Sequence, residues 1–200
     1  MTAKVDFFYE FASTYSYPAA MRIDRVAEAA GVTVNWRPFL LGPIFAAAGM
    51  TTSPFNTQPA KGRYMWRDLE RICQADRLAL KRPDPFPQNS LLAARIAQAL
   101  PDDGKRAAFS RAVYVAEFGE GADIAVPETL GRILEKLGIP AAPLIVQAGS
   151  DSVKQALRAA VDEAKAHGMF GAPNVVTSDG ELFWGNDRLD AAIAWAARIG

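Results

Sequence analysis

Ser13 and Ser16 stand three residues apart in "EFASTYSYPA" (10–19), where an apolar strand pattern gives way to a helix. Two cysteines at this spacing and in this place would carry thiol–disulfide exchange, which needs a pair of sulfurs. Here both positions hold hydroxyls, and the single cysteine, Cys73, lies far along the chain in "DLERICQAD", where it reads as a packed thiol. A hydroxyl at the mouth of a helix has two uses. It can cap the helix. It can also donate a hydrogen bond to a bound thiolate, at a place where the helix N-terminus already favours an anion. Ser13 and Ser16 are open to both readings. A hydrolase serine has little support: no G-x-S-x-G turn is present, and the only histidine, His167, falls at a helix end in a cap or surface role. Glu10, three residues before Ser13, reads as a solvated strand-end acid, with a proton shuttle as the alternative.

Two later segments carry chemistry of the same kind. In "GMFGAPNVV", Ala172-Pro173 stands directly before a strand. It is either a plain loop proline or a cis proline that turns the backbone of Ala172 toward the first helix. In the second case the N–H and C=O of Ala172 can pair with an extended peptide such as glutathione, like an added strand. In "FWGNDRLD", Asn186 and Asp187 open the last helix. They either cap it or receive an amino-acid head group, with helix N–H groups for a carboxylate and the Asp187 carboxylate for an ammonium. One His and one Cys without clustered spacing predict no metal site. No P-loop or G-x-G-x-x-G occurs. The 10% aromatic content reads as core rather than as a stacking platform.

The elements that must position these residues follow from periodicity. "KVDFFYEF" (4–11) alternates, with Val5, Phe7, Tyr9 and Phe11 on one face and Asp6, Phe8 and Glu10 on the other, as in a strand. Apolar positions 20, 23, 26, 27 and 30 predict a helix closed by Gly31, and "VTVNWRPF" predicts a second strand. This β-α-β unit favours a parallel pair. Residues 40–60 read as a long loop with one short helix. Helical stretches follow over 61–78, 88–100, 105–118 and 126–138, with breaks at "KRPDPFPQN" and "GIPAAP". A capped helix over 150–168, a hairpin around Asp179-Gly180 and an amphipathic C-terminal helix complete the chain. The order predicts an α/β fold. A thioredoxin-like domain of residues 1–45 and 149–200 surrounds an all-helical insertion of residues 46–148.

Composition limits the partners. Lys+Arg and Asp+Glu are both 22, so no basic excess predicts nucleic acid or an anionic membrane as partner. No apolar run approaches the ~20 residues of a membrane helix. The N-terminus reads as a first strand rather than a signal peptide. With one cysteine and no intramolecular disulfide, a reducing, cytoplasmic compartment is expected.

Together, "VDFFYEFASTYSYPA", "FNTQPAKGRYM", "PFPQNSLLA", "MFGAPNVV" and "LFWGNDRLD" resemble the 2-hydroxychromene-2-carboxylate isomerase family. That family is related to the kappa-class glutathione transferases in the DsbA-like branch of the thioredoxin superfamily. The resemblance covers nearly the whole chain. It implies a thioredoxin domain with a helical insertion, bound glutathione and a homodimer. It also implies conversion of 2-hydroxychromene-2-carboxylate, or a related intermediate of aromatic catabolism, to trans-o-hydroxybenzylidenepyruvate through a glutathione thiolate adduct. The family's activating serine falls on Ser13. Contacts to glutathione fall on Asn56, Lys61, Ala172 with Pro173, Asn186 and Asp187, and Asn89 falls on the substrate side of the pocket. The chain departs from the family at Thr14, where proline is usual. The segment between Asn56 and Lys61 is also shorter than in the transferases. A kappa-like transferase or peroxidase, and a glutathione-binding protein without turnover, are the alternative readings.

Overall fold

The computed structural model describes residues 3–200; residues 1–2, which the expected domain boundary and leader reading include, lie outside the described residues. The chain opens with β1 (Ala3–Tyr9), α1 (Ser16–Ala29) and β2 (Val32–Pro38). Then come α2 (Gly42–Ala47), α3 (Pro54–Thr57), α4 (Pro59–Ala75), α5 (Leu91–Ala99) and α6 (Asp103–Tyr114). A π-helical turn (Val115–Gly119), α7 (Pro127–Lys136) and α8 (Ala141–Ala148) follow. The last part is α9 (Asp151–Ala166), β3 (Asn174–Thr177), β4 (Leu182–Trp184), a 3-10 turn (Asn186–Arg188) and α10 (Leu189–Ile199).

The sheet order is β2-β1-β3-β4. β1 runs parallel to β2, in register from Ala3↔Val32 to Tyr9↔Pro38, and both β1–β3 and β3–β4 are antiparallel. This is the thioredoxin arrangement, with a helical block between its two halves. Among the described residues no strand lies between Pro38 and Asn174.

The alternation in β1 sets the layers. Val5, Phe7, Tyr9 and Phe11 face the larger apolar cluster, and Phe8 faces the smaller one with Phe39, Val161, Met169 and Val176. Aromatic rings fill the larger cluster. Trp36 stands edge-on to Phe7 at 5.1 Å, Phe11 meets Tyr114 at 5.3 Å, and Tyr17 stacks on Phe118 at 5.8 Å. Full burial of such a side chain stabilises by about 1.5–3 kcal/mol. Leu69, Phe109, Leu130 and Leu144 join the same cluster, so the helical block and the sheet share one continuous core. Cys73 is buried in it as expected, and burial, with the nearby Asp76 charge, pushes its thiol up to about 11.

The structure departs from the sequence reading in three places. The break at "GIPAAP" is the start of α8, with Pro140 at the N-cap and Pro143 in the first turn. Prolines are tolerated there because those positions have no intrahelical N–H bond to lose. Residues 40–60 hold two short helices, α2 and α3, rather than one. Ser150 caps α9 as expected, its hydroxyl accepting from the Val153 N–H at 3.4 Å, but α10 has no capping side chain. Asn186 is taken instead by Arg22 of α1, which donates to its Oδ1 at 3.1 Å and to its carbonyl at 2.5 Å.

Candidate active site

The turn that joins β1 to α1 carries Ser13. Its backbone N–H donates to the Glu10 carbonyl at 3.0 Å, which closes the turn. The Ser13 hydroxyl does two things at once. It donates to the carbonyl of Ala172 at 3.0 Å and accepts from the Ser16 N–H at 3.4 Å. So Ser13 caps α1 from outside the helix and also aims its proton across the gap at the loop before β3. Ser16 is fully buried in the first turn and caps nothing. The two hydroxyls are not equivalent.

The Ala172–Pro173 peptide is cis. The Ala172 carbonyl lies at the mouth of α1, where the helix dipole favours negative charge. Behind it, the Asn174 amide donates to the Gly171 carbonyl at 2.6 Å and the Gly185 N–H donates to the Pro173 carbonyl at 2.9 Å. The strap is therefore tied to both β3 and β4.

In front of Ser13 opens a cavity of about 600 Å³, within the size range of small-molecule sites. Ser13, Thr14, Lys61, Asn89 and Ala172 lie on its wall, between apolar groups such as Leu41, Phe45, Phe55 and Phe86. Thr14, the departure from the family's proline, is buried on that wall. Lys61 is exposed, with its ammonium 5.8 Å from the Phe55 ring. Asn89 caps the approach to α5, its Oδ1 accepting from the Leu91 N–H at 3.1 Å. Tyr15 also lines the cavity and donates to Asp68 of α4 at 3.0 Å; burial and then the Asp68 carboxylate raise its pKa.

Four expected residues do not line this cavity. Pro173 lies behind Ala172. The Asn56 amide turns away to Thr52 Oγ1 at 3.2 Å and to the Phe86 carbonyl at 3.5 Å. Asn186 is held by Arg22. Asp187 is exposed on the neighbouring turn, 3.5 Å from Arg188. His167 closes α9, its ring edge-on to Phe8 at 6.2 Å, and takes no part in the cavity.

Glu10 is not the solvated acid that its strand-end position predicts. It is 4% exposed, because the segment after β2 folds over it. Its carboxylate accepts from the Leu41 N–H at 2.9 Å and from the Ala12 N–H at 3.3 Å. It thereby ties two loops of the cavity together. Burial raises its pKa, partly offset by hydrogen bonds from Ser90 and those backbone groups. Behind it lies a second buried acid, Glu117, in the π-helical turn. Neither of its oxygens has a hydrogen-bond partner. Burial, and then the charge of Glu10, hold its pKa well above the usual carboxylate range.

The rim holds two aromatic residues that the sequence reading assigned to no site. Phe170 and Trp184 line the cavity 56% and 48% exposed, with ring centroids 4.6 Å apart. Large exposed aromatics beside a polar donor are a stacking surface. The signal was present in "MFGAPNVV" and "LFWG", since each aromatic residue flanks a candidate site segment. Gly171 makes the pair possible. A Cβ there would lie 2.6 Å from Trp184 Nε1 and 3.1 Å from its Cε2. Gly171→Ala is therefore expected to displace the indole. The affinity of an aromatic acid for the cavity should fall about 2- to 10-fold, the worth of one aromatic pair. Titration followed by tryptophan fluorescence checks this, and unchanged affinity with an unshifted spectrum would contradict it.

Among the described residues, no group of His, Cys, Asp and Glu is placed to hold a metal ion, and no helix is long and apolar enough to cross a membrane.

Comparison with known proteins gives a consistent set of likenesses. The family model of the DSBA-like thioredoxin domain matches residues 4–193. A 2-hydroxychromene-2-carboxylate isomerase of Sphingobium xenophagum is 31% identical over 191 residues, covering 95% of this chain and 96% of the relative. A glutathione S-transferase kappa 2 of Caenorhabditis elegans is 26% identical, covering 92% of this chain and 88% of the relative. The solved structure of a 2-hydroxychromene-2-carboxylate isomerase superposes with a TM-score of 0.87 at 26% identity, covering 98% of this chain and 95% of that one.

Proposed function

The chain belongs to the DSBA-like thioredoxin domain family, and we propose that within it this protein is a glutathione-dependent isomerase of a chromene-type or related aromatic carboxylate. The observation that carries the reading is the bond from Ser13 to Ala172. A hydroxyl donor and a backbone carbonyl meet at the N-terminus of α1, where a redox relative would need sulfur. The pair fits one ligand class, a peptide bearing a thiolate. Toward that sulfur the Ser13 O–H would turn from Ala172. The carbonyl so released would accept an N–H of the peptide backbone, as an added strand does. One change of partner thus serves both halves of the ligand.

Glutathione, when bound, supplies the nucleophilic thiol that the chain itself lacks at this place. The protein's part is to lower the thiol's pKa and to orient it. Ser13 and the α1 helix dipole stabilise the charged form. Lys61 stands on the wall to pair with a carboxylate. For the γ-glutamyl head the reading keeps Asp187, exposed on the turn after β4, with Asn186 held behind it by Arg22. Asn89 and the Phe170–Trp184 pair are suited to an aromatic substrate on the opposite side. Thr14 sits beside Ser13 with a hydroxyl where the family has proline. We extend the reading to a homodimer, from the family resemblance, and to a reducing cytoplasm, from the single, buried thiol.

The test is an absorbance assay with 2-hydroxychromene-2-carboxylate, run with and without glutathione. Conversion to trans-o-hydroxybenzylidenepyruvate only when glutathione is present is the expected result. Conversion of a chloroaromatic electrophile with none of the chromene would replace the isomerase by a transferase. Full conversion without glutathione would remove the thiol from the reaction.

A further inference from the structure

A second cavity, of about 350 Å³, lies on the far side of Leu40, Pro43 and Leu91, the three residues it shares with the wall of the first. Four cations line it: Arg95 of α5 with Lys154, Arg158 and Lys165 of α9. The only acid on its wall is Asp162. A chain with a net charge of zero therefore carries a local excess of three positive charges here.

The acids of α9 satisfy only part of this charge. Lys154 meets Asp151 at 3.2 Å and Lys165 meets Asp162 at 3.6 Å, both one helical turn away on the same helix. Among the described residues neither Arg95 nor Arg158 is in an ion pair with an acid. The Nε of Arg95 is buried with no hydrogen-bond partner. The terminal nitrogens of this half-buried guanidinium have no acceptor among the described residues either, and an anionic oxygen is their natural complement. The rest of the wall is apolar, with Leu157 and Val161 beside the three shared residues. A bare phosphate or sulfate would leave those side chains in water. An anion with a hydrocarbon body would cover them.

We propose that this cavity is a second binding site, for a small carboxylate with an apolar body. The carboxylate is held by Arg95 and Arg158, and the apolar body lies against Leu40, Leu91 and Leu157. The inference does not depend on glutathione chemistry at Ser13, because no residue of that bond takes part.

Salicylate is the probe, titrated calorimetrically into the intact protein, with inorganic phosphate in parallel. A saturable salicylate site beside that of the first cavity is expected, weaker at high salt, and phosphate should bind it far less tightly. Arg158→Gln should weaken salicylate at least about tenfold, the loss of one charge-assisted hydrogen bond. Arg158 is exposed, so its replacement leaves the packing of α9 intact. Gly171→Ala, which disturbs the stacking surface of the first cavity, should leave the salt-sensitive site intact. Its affinity unchanged in Arg158→Gln, or lost in Gly171→Ala, would overturn the proposal by placing the ligand in the first cavity. Phosphate binding as tight as salicylate would overturn the assignment of an apolar body. Loss of glutathione binding in a separate titration would bear only on the function proposed above.

Discussion

Ser13→Ala is expected to lower glutathione-dependent turnover by about 10²–10³-fold, the usual effect of removing one donor aimed at a developing or resident anion. The fold should survive. The hydroxyl is only part-buried, and its contribution to the helix start is one long bond, 3.4 Å, to the Ser16 N–H. Losing such a cap costs about 0.5–2 kcal/mol, a tolerable fraction of the stability of an ordinary domain. The loss should fall on kcat and kcat/KM for the aromatic substrate more than on glutathione affinity, because the peptide still meets Ala172. Steady-state kinetics with both ligands varied, beside a thermal melt, separates these effects. Wild-type turnover in a folded Ser13→Ala protein would contradict the assignment.

The second large effect concerns stability and pH. Glu117 is fully buried, has no partner for either oxygen and has a raised pKa. The folded state therefore holds its proton where the unfolded state has released it. Such a group stabilises the fold fully below its unfolded pKa, about 4.3, and the contribution is lost as pH rises toward the folded value. Within that window each pH unit lowers stability by about 1.4 kcal/mol per proton. Glu10, with a pKa shifted in the same direction, adds to the slope. Glu117→Met keeps the length of the side chain and removes both orphan oxygens. It should flatten the fall in stability as pH rises from about 5 toward neutrality. It should also raise stability at the upper end by about 1–3 kcal/mol. Denaturant unfolding across that range measures it. A variant less stable than wild type at the upper end, or one with an unchanged slope, would contradict this account of Glu117.

Much of this architecture is legible in short-range pattern. The alternation of "KVDFFYEF" separates Phe7 from Phe8 across the sheet, and Gly31 and Asp179-Gly180 mark turns that the chain makes. The helices of the middle block follow from 3.6-residue spacing. What the pattern misreads is set by residues distant in sequence. Pro140 and Pro143 look like breakers until one knows on which side of them the helix lies. Glu10 looks solvated until the segment after β2 closes over it, an event that no window around residue 10 contains. Asn186 looks like a cap until Arg22, from the other end of the chain, takes its side chain. The site divides in the same way. Ser13, Ala172, Lys61 and Asn89 carry local motifs and reach one cavity. The Phe170–Trp184 surface depends on a β4 residue standing against the loop before β3, a pairing that only the folded sheet creates.

The central claim is that Ser13 and the N-terminus of α1 hold a borrowed thiol in its charged form. The direct measurement is a pH titration of the thiolate ultraviolet absorbance of glutathione bound to the wild-type protein and to Ser13→Ala. The bound thiol is expected to titrate well below the usual value of about 8.5 in the wild type and to return toward it in the variant. Bound glutathione that titrates alike in both proteins, at the value of the free thiol, would contradict it.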